Sequence, residues 1–174
     1  MESTTIAQEV TAPTQGVEDQ AGASERQLRE PQYAVFISVY GAALGAFLGW
    51  RQRRRALPER IGAGDVVLLA VATHKASRLL AKDKVLAPIR RPFAEFEESA
   101  GPAEVQESPR GAGFRRAIGE LVVCPFCLSQ WVATGLAAGL VVAPRPTRFI
   151  AAILAAVAGS DFLQLAYKAG ENRV

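Results

Sequence analysis

Histidine and cysteine are scarce in this chain, and their scarcity excludes several classes of protein. The 174 residues contain one histidine and two cysteines. Two cysteines cannot form a disulfide framework or a four-cysteine zinc site within one chain. One histidine excludes most multi-histidine metal centres, and without a serine motif beside it we do not expect a hydrolase. The start of the chain also lacks the basic segment and apolar core of a secretory signal.

Three long stretches of the chain lack charge almost entirely. They cover Tyr33–Trp50, Leu121–Ala143 and Phe149–Tyr167, with lengths of 18, 23 and 19 residues, and Asp161 is the single charge among them. A hydrocarbon core about 30 Å thick requires roughly 20 apolar helical residues to cross it. A soluble helix would show a polar face every three or four residues. The stretches predict an all-α integral membrane protein, and a soluble bundle with buried Ala-rich helices is the alternative.

Composition divides the chain into a tail and a helical membrane region. Residues 1–32 are polar and acidic, and we expect a disordered tail. Three or four membrane-associated helices follow, over 33–50, 65–84, 121–143 and 147–167. The last two are expected to form an antiparallel hairpin around the turn at Pro144–Thr147. The whole of 51–174 is expected to be one helical membrane domain.

Two segments of this domain are less regular. The apolar part of 65–84 is short, so this helix could lie in the membrane plane, insert halfway or cross under strain. Residues 95–113 are rich in Glu, Gly, Pro and Ser, which predicts a flexible loop.

The distribution of Lys and Arg predicts a topology, because basic loops favour the cytoplasmic side. If 65–84 does not cross, fourteen of these residues lie on one side and four on the other, with 51–60 and 81–120 both cytoplasmic. If it crosses and the N-terminus is internal, eleven lie inside and seven outside, but the Arg51–Arg55 cluster is exported. If it crosses and the N-terminus is external, seven lie inside and eleven outside. We expect the first arrangement, in a multi-pass protein of a bacterial cell membrane.

Glycines recur at four-residue spacing in the apolar stretches. Gly41, Gly45 and Gly49 share one face of the first helix, and Gly135 and Gly139 repeat the spacing. In lipid, close approach of helix backbones favours association. These glycines predict helix packing, within the chain or between copies in a homo-oligomer, although small residues are also common in membrane helices without that role.

The two cysteines form a CxxC motif, Cys124-Pro125-Phe126-Cys127. Pro125 suits the first helical position, which places Cys124 at a helix N-terminus where the dipole favours a thiolate. Three interpretations stay open. The pair could be a redox dithiol, half of a zinc or iron site completed by another chain or by His74, or two small packing residues at a membrane boundary. No cofactor is predicted beyond those two metals.

Ionisable residues follow the short apolar run that begins at Val66. His74, Lys75 and Arg78 come directly after it, and Asp161 in the last apolar stretch is the candidate partner. Charges within a membrane are costly unless they are paired. The residues therefore predict an ion pair or a polar site between helices. Alternatively, the basic side chains extend to lipid headgroups.

Two further basic clusters, Arg51–Arg55 and Arg90–Arg91, predict topology determinants that contact anionic lipid. No aromatic-interleaved basic surface accompanies them, so we expect no nucleic acid partner.

Several motifs in a fixed order resemble a known family. They are Thr73–Leu80, Asp83-Lys84-Val85, Pro88–Phe93, Gly119–Leu128 and Trp131. Together they resemble the bacterial membrane-protein family catalogued as domain of unknown function 1360, which includes sporulation-associated proteins of bacilli. The resemblance covers about residues 64–168. It implies a small helical membrane protein and brings no known reaction or cofactor.

The sequence as a whole predicts a non-enzymatic scaffold or interaction protein of the bacterial membrane. Its expected partners are a bilayer with anionic headgroups and a second copy or another protein. The candidate polar cluster consists of His74, Lys75, Arg78, Asp83, Arg90, Arg91, Glu120 and Asp161. The alternatives are a membrane thiol–disulfide oxidoreductase that uses Cys124 and Cys127, and an oligomer that shares a metal through its CxxC pairs.

Overall fold

The computed structural model describes residues 31–54, 57–58, 60–101 and 103–171. The chain divides into two units, residues 1–42 and 43–174. The described part of the first unit is the helical segment 31–42, and the second unit contains all later elements. The expected acidic tail lies outside the described residues except for Pro31 and Gln32, which are helical.

The described residues form six α-helices, one 3-10 turn and one two-stranded sheet. The helices are α1 (Pro31–Arg53), α2 (Ala63–Lys82), α3 (Ala87–Arg90), α4 (Gly113–Val123), α5 (Pro125–Val142) and α6 (Pro144–Glu171). The 3-10 turn is Lys84–Leu86, and the strands are β1 (Ala94–Ser99) and β2 (Val105–Pro109). The all-α class predicted from the apolar stretches is confirmed.

Helices α1, α5 and α6 are long and apolar enough to cross a membrane. No residue is buried in the apolar windows of α1 and α5, and only 11% of the window of α6 is buried. Large side chains such as Ile37, Phe149 and Leu163 are 73%, 69% and 73% exposed. Water disfavours extensive exposed apolar surface, whereas lipid tails solvate it. These three helices therefore have the surfaces of membrane helices.

Helix α2 packs along both α5 and α6 through small side chains. Its buried residues are Ala72, Ser77 and Ala81, and those of α6 include Ala151 and Ala158. Within the described ranges, Val105 is the only buried apolar residue larger than alanine. Small residues let helix backbones approach closely, which is the usual way that helices pack in membranes.

Strands β1 and β2 form an antiparallel hairpin where an irregular loop was expected. Ala94 pairs with Pro109 and Ser99 with Val105, and a bulge lies between Phe96 and Glu98. The expectation for 95–113 is therefore wrong over these strands. Their Glu-rich composition carries no β signal, and β2 is stabilised instead by packing against α4, which no local pattern reveals.

The helix expected over 121–143 is interrupted at Cys124. This residue has φ −101° and ψ 107°, an extended conformation. A residue that precedes proline is disfavoured in the helical region, and Pro125 itself has no N–H to donate. As a result α4 ends at Val123 and α5 begins at Pro125, with Cys124 as its N-cap.

Helices α5 and α6 are joined by a single residue, Ala143. The residues expected to form the turn, Pro144–Thr147, belong to the first turn of α6. Gly139 permits the close approach of the two helices, since a Cβ there would lie 2.8 Å from Thr147 Oγ1. A Cβ at Gly41, Gly45, Gly49 or Gly135 would have no such neighbour within 4 Å.

Candidate functional site

A charge pair joins the middle of α2 to α6. Lys75 Nζ lies 2.6 Å from Asp161 Oδ2, and the two side chains are 18% and 46% exposed. Asp161 is the partner that the sequence predicts for this basic cluster. His74 on the same helix turn stacks on Phe162 of α6, with ring centroids 6.3 Å apart.

The C-terminal half of α2 is bound to the β-hairpin. Arg78 Nη2 donates to both carboxylate oxygens of Glu104, at 2.7 and 2.6 Å. Lys82 Nζ donates to Gln106 Oε1 at 3.1 Å. These basic side chains therefore have protein acceptors, whereas the alternative expectation gave them to lipid headgroups.

A cleft of about 520 Å³ lies between α2, α6 and the turn of the hairpin. It is lined by both ion pairs just described, by His74 and Phe162, and by Lys168 near the end of α6. The acidic and basic groups on its walls largely compensate each other, so the cleft does not carry a strong charge of one sign.

The opposite end of α2 pairs with the start of α6. Arg148 donates through Nε and Nη2 to the two carboxylate oxygens of Asp65, each at 2.8 Å. The N-cap of α2 is Gly62, and Asp65 lies in the first turn of this helix. Arg51 at the end of α1 donates to the carbonyl oxygen of Val141, near the end of α5.

These contacts place the two flanks of α2 at opposite ends of α5 and α6. The connection that precedes α2 lies beside the α5–α6 junction, and the hairpin that follows α2 lies beside the far end of α6. A 20-residue helix is about 30 Å long, because each residue adds about 1.5 Å. The described parts of 51–60 and 81–120, both of which the sequence predicts to be cytoplasmic, therefore lie near opposite ends of α2.

Arg90 is buried, contrary to the expectation that it contacts lipid. Its Nε donates to Glu107 Oε2, and the two side chains are only 3% and 4% exposed. Its Nη1 and Nη2 donate to the carbonyl oxygens of Leu80 and Asp83, at 2.8 and 2.9 Å. These carbonyls belong to the end of α2 and its C-cap, where intrahelical donors run out. We call this set of contacts the Arg90 clamp, because it joins α2, α3 and β2.

The other predicted members of the cluster have local roles. Asp83 accepts a hydrogen bond from the Val85 backbone N–H at 2.8 Å and so caps the 3-10 turn. Glu120 accepts from Arg116 Nε at 3.1 Å, one helical turn earlier. Arg91 is exposed, unlike its neighbour Arg90. None of these residues lines the cleft except Asp83.

Two residues that are important for packing were not predicted from the sequence. Glu107 is the buried counter-charge of Arg90, but in sequence it is one of many acids in a Glu-rich segment. Gly119 is buried in α4, where a Cβ would overlap the Phe93 carbonyl oxygen and lie 3.1 Å from Pro109 Cα. In the sequence, a single glycine beside apolar residues in an amphipathic helix is the pattern that indicates close packing here.

The cysteine pair lies at the junction of α4 and α5. The two Sγ atoms are 2.7 Å apart, and both thiols are free. Within the described ranges, no group of three or more His, Cys, Asp and Glu residues is placed to hold a metal ion, so His74 does not join the cysteines.

The fold and the charged contacts define a small helical protein with three helices long enough to cross a membrane. The chain belongs to the family described as Protein of unknown function (DUF1360), which matches residues 68–167. This confirms the resemblance seen in the sequence motifs.

A curated relative extends this finding. The chain is 35% identical over 93 residues to Sporulation protein YjcA of Bacillus subtilis (strain 168). The similarity covers 52% of this chain and 79% of that protein. No solved structure matches. The family match, residues 68–167, runs from α2 into α6 and contains the Arg90 clamp, the cysteine pair and the lining of the cleft except Lys168.

Proposed function

We propose that this chain is a multi-pass membrane protein that acts as a non-enzymatic scaffold. Its membrane part consists of α1, α5 and α6 with α2 packed against the last two. Its interaction part is residues 84–123, which we call the polar platform, and which comprises α3, the β-hairpin and α4. The exposed apolar surfaces of the three long helices support the membrane part of the proposal.

The Arg90 clamp is the observation that carries the scaffold role. Two hydrogen bonds from Arg90 to backbone carbonyls hold the platform on the end of α2, and the buried ion pair with Glu107 fixes α3 to β2 within the platform. A surface that is fixed in this way loses little conformational entropy when a partner binds, which favours docking.

The exposed side of the platform suits the boundary of an anionic bilayer. Val85 and Ile89 are 82% and 71% exposed and are four residues apart, while Lys84 and Arg91 beside them are also exposed. Apolar side chains flanked by basic ones favour the headgroup region, where they meet acyl chains and anionic lipid respectively.

The arrangement of α2 also leads to a proposed topology. With α5 and α6 crossing, α2 crosses beside them, and the α1–α2 connection and the platform lie on opposite sides of the membrane. Among residues 43–174, leaving out Lys75 and Arg78 within α2, nine Lys and Arg residues lie on the platform side and seven on the other side. This distribution favours a cytoplasmic platform.

Cysteine labelling of intact cells tests the membrane role and the topology together. Gly64→Cys, at the start of α2, and Ser99→Cys, in β1, are introduced separately into a Cys124→Ser/Cys127→Ser background. Gly64 has free space for a Cβ, and both positions are exposed. We expect a membrane-impermeant maleimide to label Gly64→Cys on intact cells and to label Ser99→Cys only after permeabilisation. Equal labelling of both variants on intact cells contradicts the topology, and loss of the protein from the membrane fraction at alkaline pH contradicts membrane integration.

A complementation assay separates a scaffold from a thiol enzyme. Because the curated relative is named a sporulation protein, the assay is spore yield in a Bacillus subtilis strain that lacks this relative and expresses the present chain. A scaffold predicts that the Cys124→Ser/Cys127→Ser variant complements as well as the unmodified chain. Loss of complementation in this variant, at equal protein level, would instead favour the oxidoreductase.

A further inference from the structure

The CxxC motif has an unequal arrangement of its two sulfur atoms. Cys124 Sγ accepts two hydrogen bonds, one from the Cys127 backbone N–H at 3.2 Å and one from the Cys127 thiol at 2.7 Å. Cys127 Sγ is the donor in the second of these. Cys124 is half-buried and Cys127 is exposed, so both are open to a small reagent.

The local backbone explains why the two sulfurs meet. Cys124 is extended because Pro125 follows it, and Pro125 then occupies the first helical position of α5. The first turn of α5 then brings Cys127, its third residue, next to Cys124. The backbone N–H of Cys127 donates a hydrogen bond to the Cys124 side chain, as is common between the third helical residue and the N-cap. The pair is therefore prearranged by α5 and needs no movement of a distant segment to come together.

We propose that Cys124 and Cys127 form a redox-active dithiol that reacts with low-molecular-weight disulfides. The Cys124 thiolate attacks one sulfur of the disulfide, forms a mixed disulfide and releases one thiolate. Cys127 then loses its proton to solvent and attacks Cys124 Sγ, which closes the Cys124–Cys127 disulfide and releases the second thiolate. The dithiol is oxidised by two electrons and the reagent is reduced to two thiols.

The hydrogen bonds assign different roles to the two cysteines. A sulfur that accepts two hydrogen bonds at a helix N-terminus is the one suited to carry negative charge, so Cys124 is the attacking group. Cys127 holds its proton toward Cys124 and acts as the resolving group. This inference does not depend on the scaffold role.

Treatment of the purified full-length protein with glutathione disulfide tests the proposal. In the unmodified chain, intact-mass measurement should show the loss of two hydrogen atoms and no lasting adduct. Cys127→Ser should accumulate one glutathione on Cys124, because the resolving thiol is absent. Cys124→Ser should react about tenfold more slowly, because it lacks the sulfur that accepts a hydrogen bond from the backbone at the helix N-terminus.

Serine preserves the size of each side chain, and elution in detergent checks that each variant folds. The Cys124→Ser/Cys127→Ser variant, which should gain no mass, controls for noncovalent glutathione. The proposal is overturned if the unmodified chain keeps two free thiols at every ratio of glutathione to its disulfide. Equal rates of glutathione uptake by the two single variants overturn the assignment of roles.

Discussion

Neutralising Glu107 should destabilise the protein far more than neutralising Glu104, although each carboxylate binds an arginine. The side chains of Glu107 and Arg90 are 4% and 3% exposed, whereas those of Glu104 and Arg78 are 34% and 44% exposed. Removal of one member of a buried pair leaves an uncompensated charge and costs about 3–5 kcal/mol. An exposed pair contributes only about 0–1 kcal/mol. Glu107→Gln keeps the shape of the side chain, so the lost stability reports the charge and not a cavity.

The measurement is the free energy of unfolding of the full-length protein in a mild detergent. Unfolding is driven by a denaturing detergent and followed by circular dichroism. We expect Glu107→Gln to lose about 3 kcal/mol or more and Glu104→Gln to lose less than about 1 kcal/mol. The paired change Arg90→Met/Glu107→Leu removes both charges and should recover part of the loss. Equal losses for the two single Gln variants would refute the reasoning, because burial would then have no effect on how much an ion pair contributes to the free energy of unfolding.

The same assay tests three further features. Gly119→Ala should lose about 1–3 kcal/mol because the added Cβ overlaps a backbone carbonyl, whereas Gly135→Ala, which has free space, should lose nothing; equal losses would contradict the proposed close packing. Lys75→Asp and Asp161→Lys should each destabilise, and their combination should recover stability with a coupling of about 0.5–3 kcal/mol; additive losses would show that the pair contributes nothing. Gly139→Val should destabilise the α5–α6 junction, and unchanged unfolding would argue against the contact with its partner helix.

The long helices and one ion pair could be predicted from the sequence because strong physical constraints apply to them. A charge-free stretch of about 20 residues has few folded forms other than a helix in lipid. The structure extends two of those helices by a few residues, for example to Glu171 in α6, and begins the third at Pro125 instead of residue 121. Asp161 could be matched to the α2 cluster across 86 residues because a charge within a membrane requires a counter-charge, and this was the single acid in the apolar stretches.

The structure of the polar platform could not be predicted in the same way, because tertiary contacts and not local sequence patterns stabilise it. Residues 94–109 alternate poorly between apolar and polar side chains, so neither helix nor strand is favoured locally. The hairpin forms because Val105 and Glu107 are buried on one side of β2, the first by packing and the second by Arg90. Glu107 resembles every other Glu of the segment until Arg90 is placed beside it.

Hydropathy and charge counting treat each helix alone, so they leave out the partners that α2 finds in the fold. Judged by itself, the apolar part of 65–84 is short, and if this helix does not cross, the basic regions before and after it fall on one side of the membrane. In the structure the cations of α2 meet Asp161, Glu104 and Gln106, all of which come from other elements. Each partner removes part of the penalty for placing a cation near lipid, so a helix that could not cross alone can cross within a bundle. The proposed crossing of α2 therefore depends on its contacts with α6 and the hairpin, and it should weaken when those acceptors are removed.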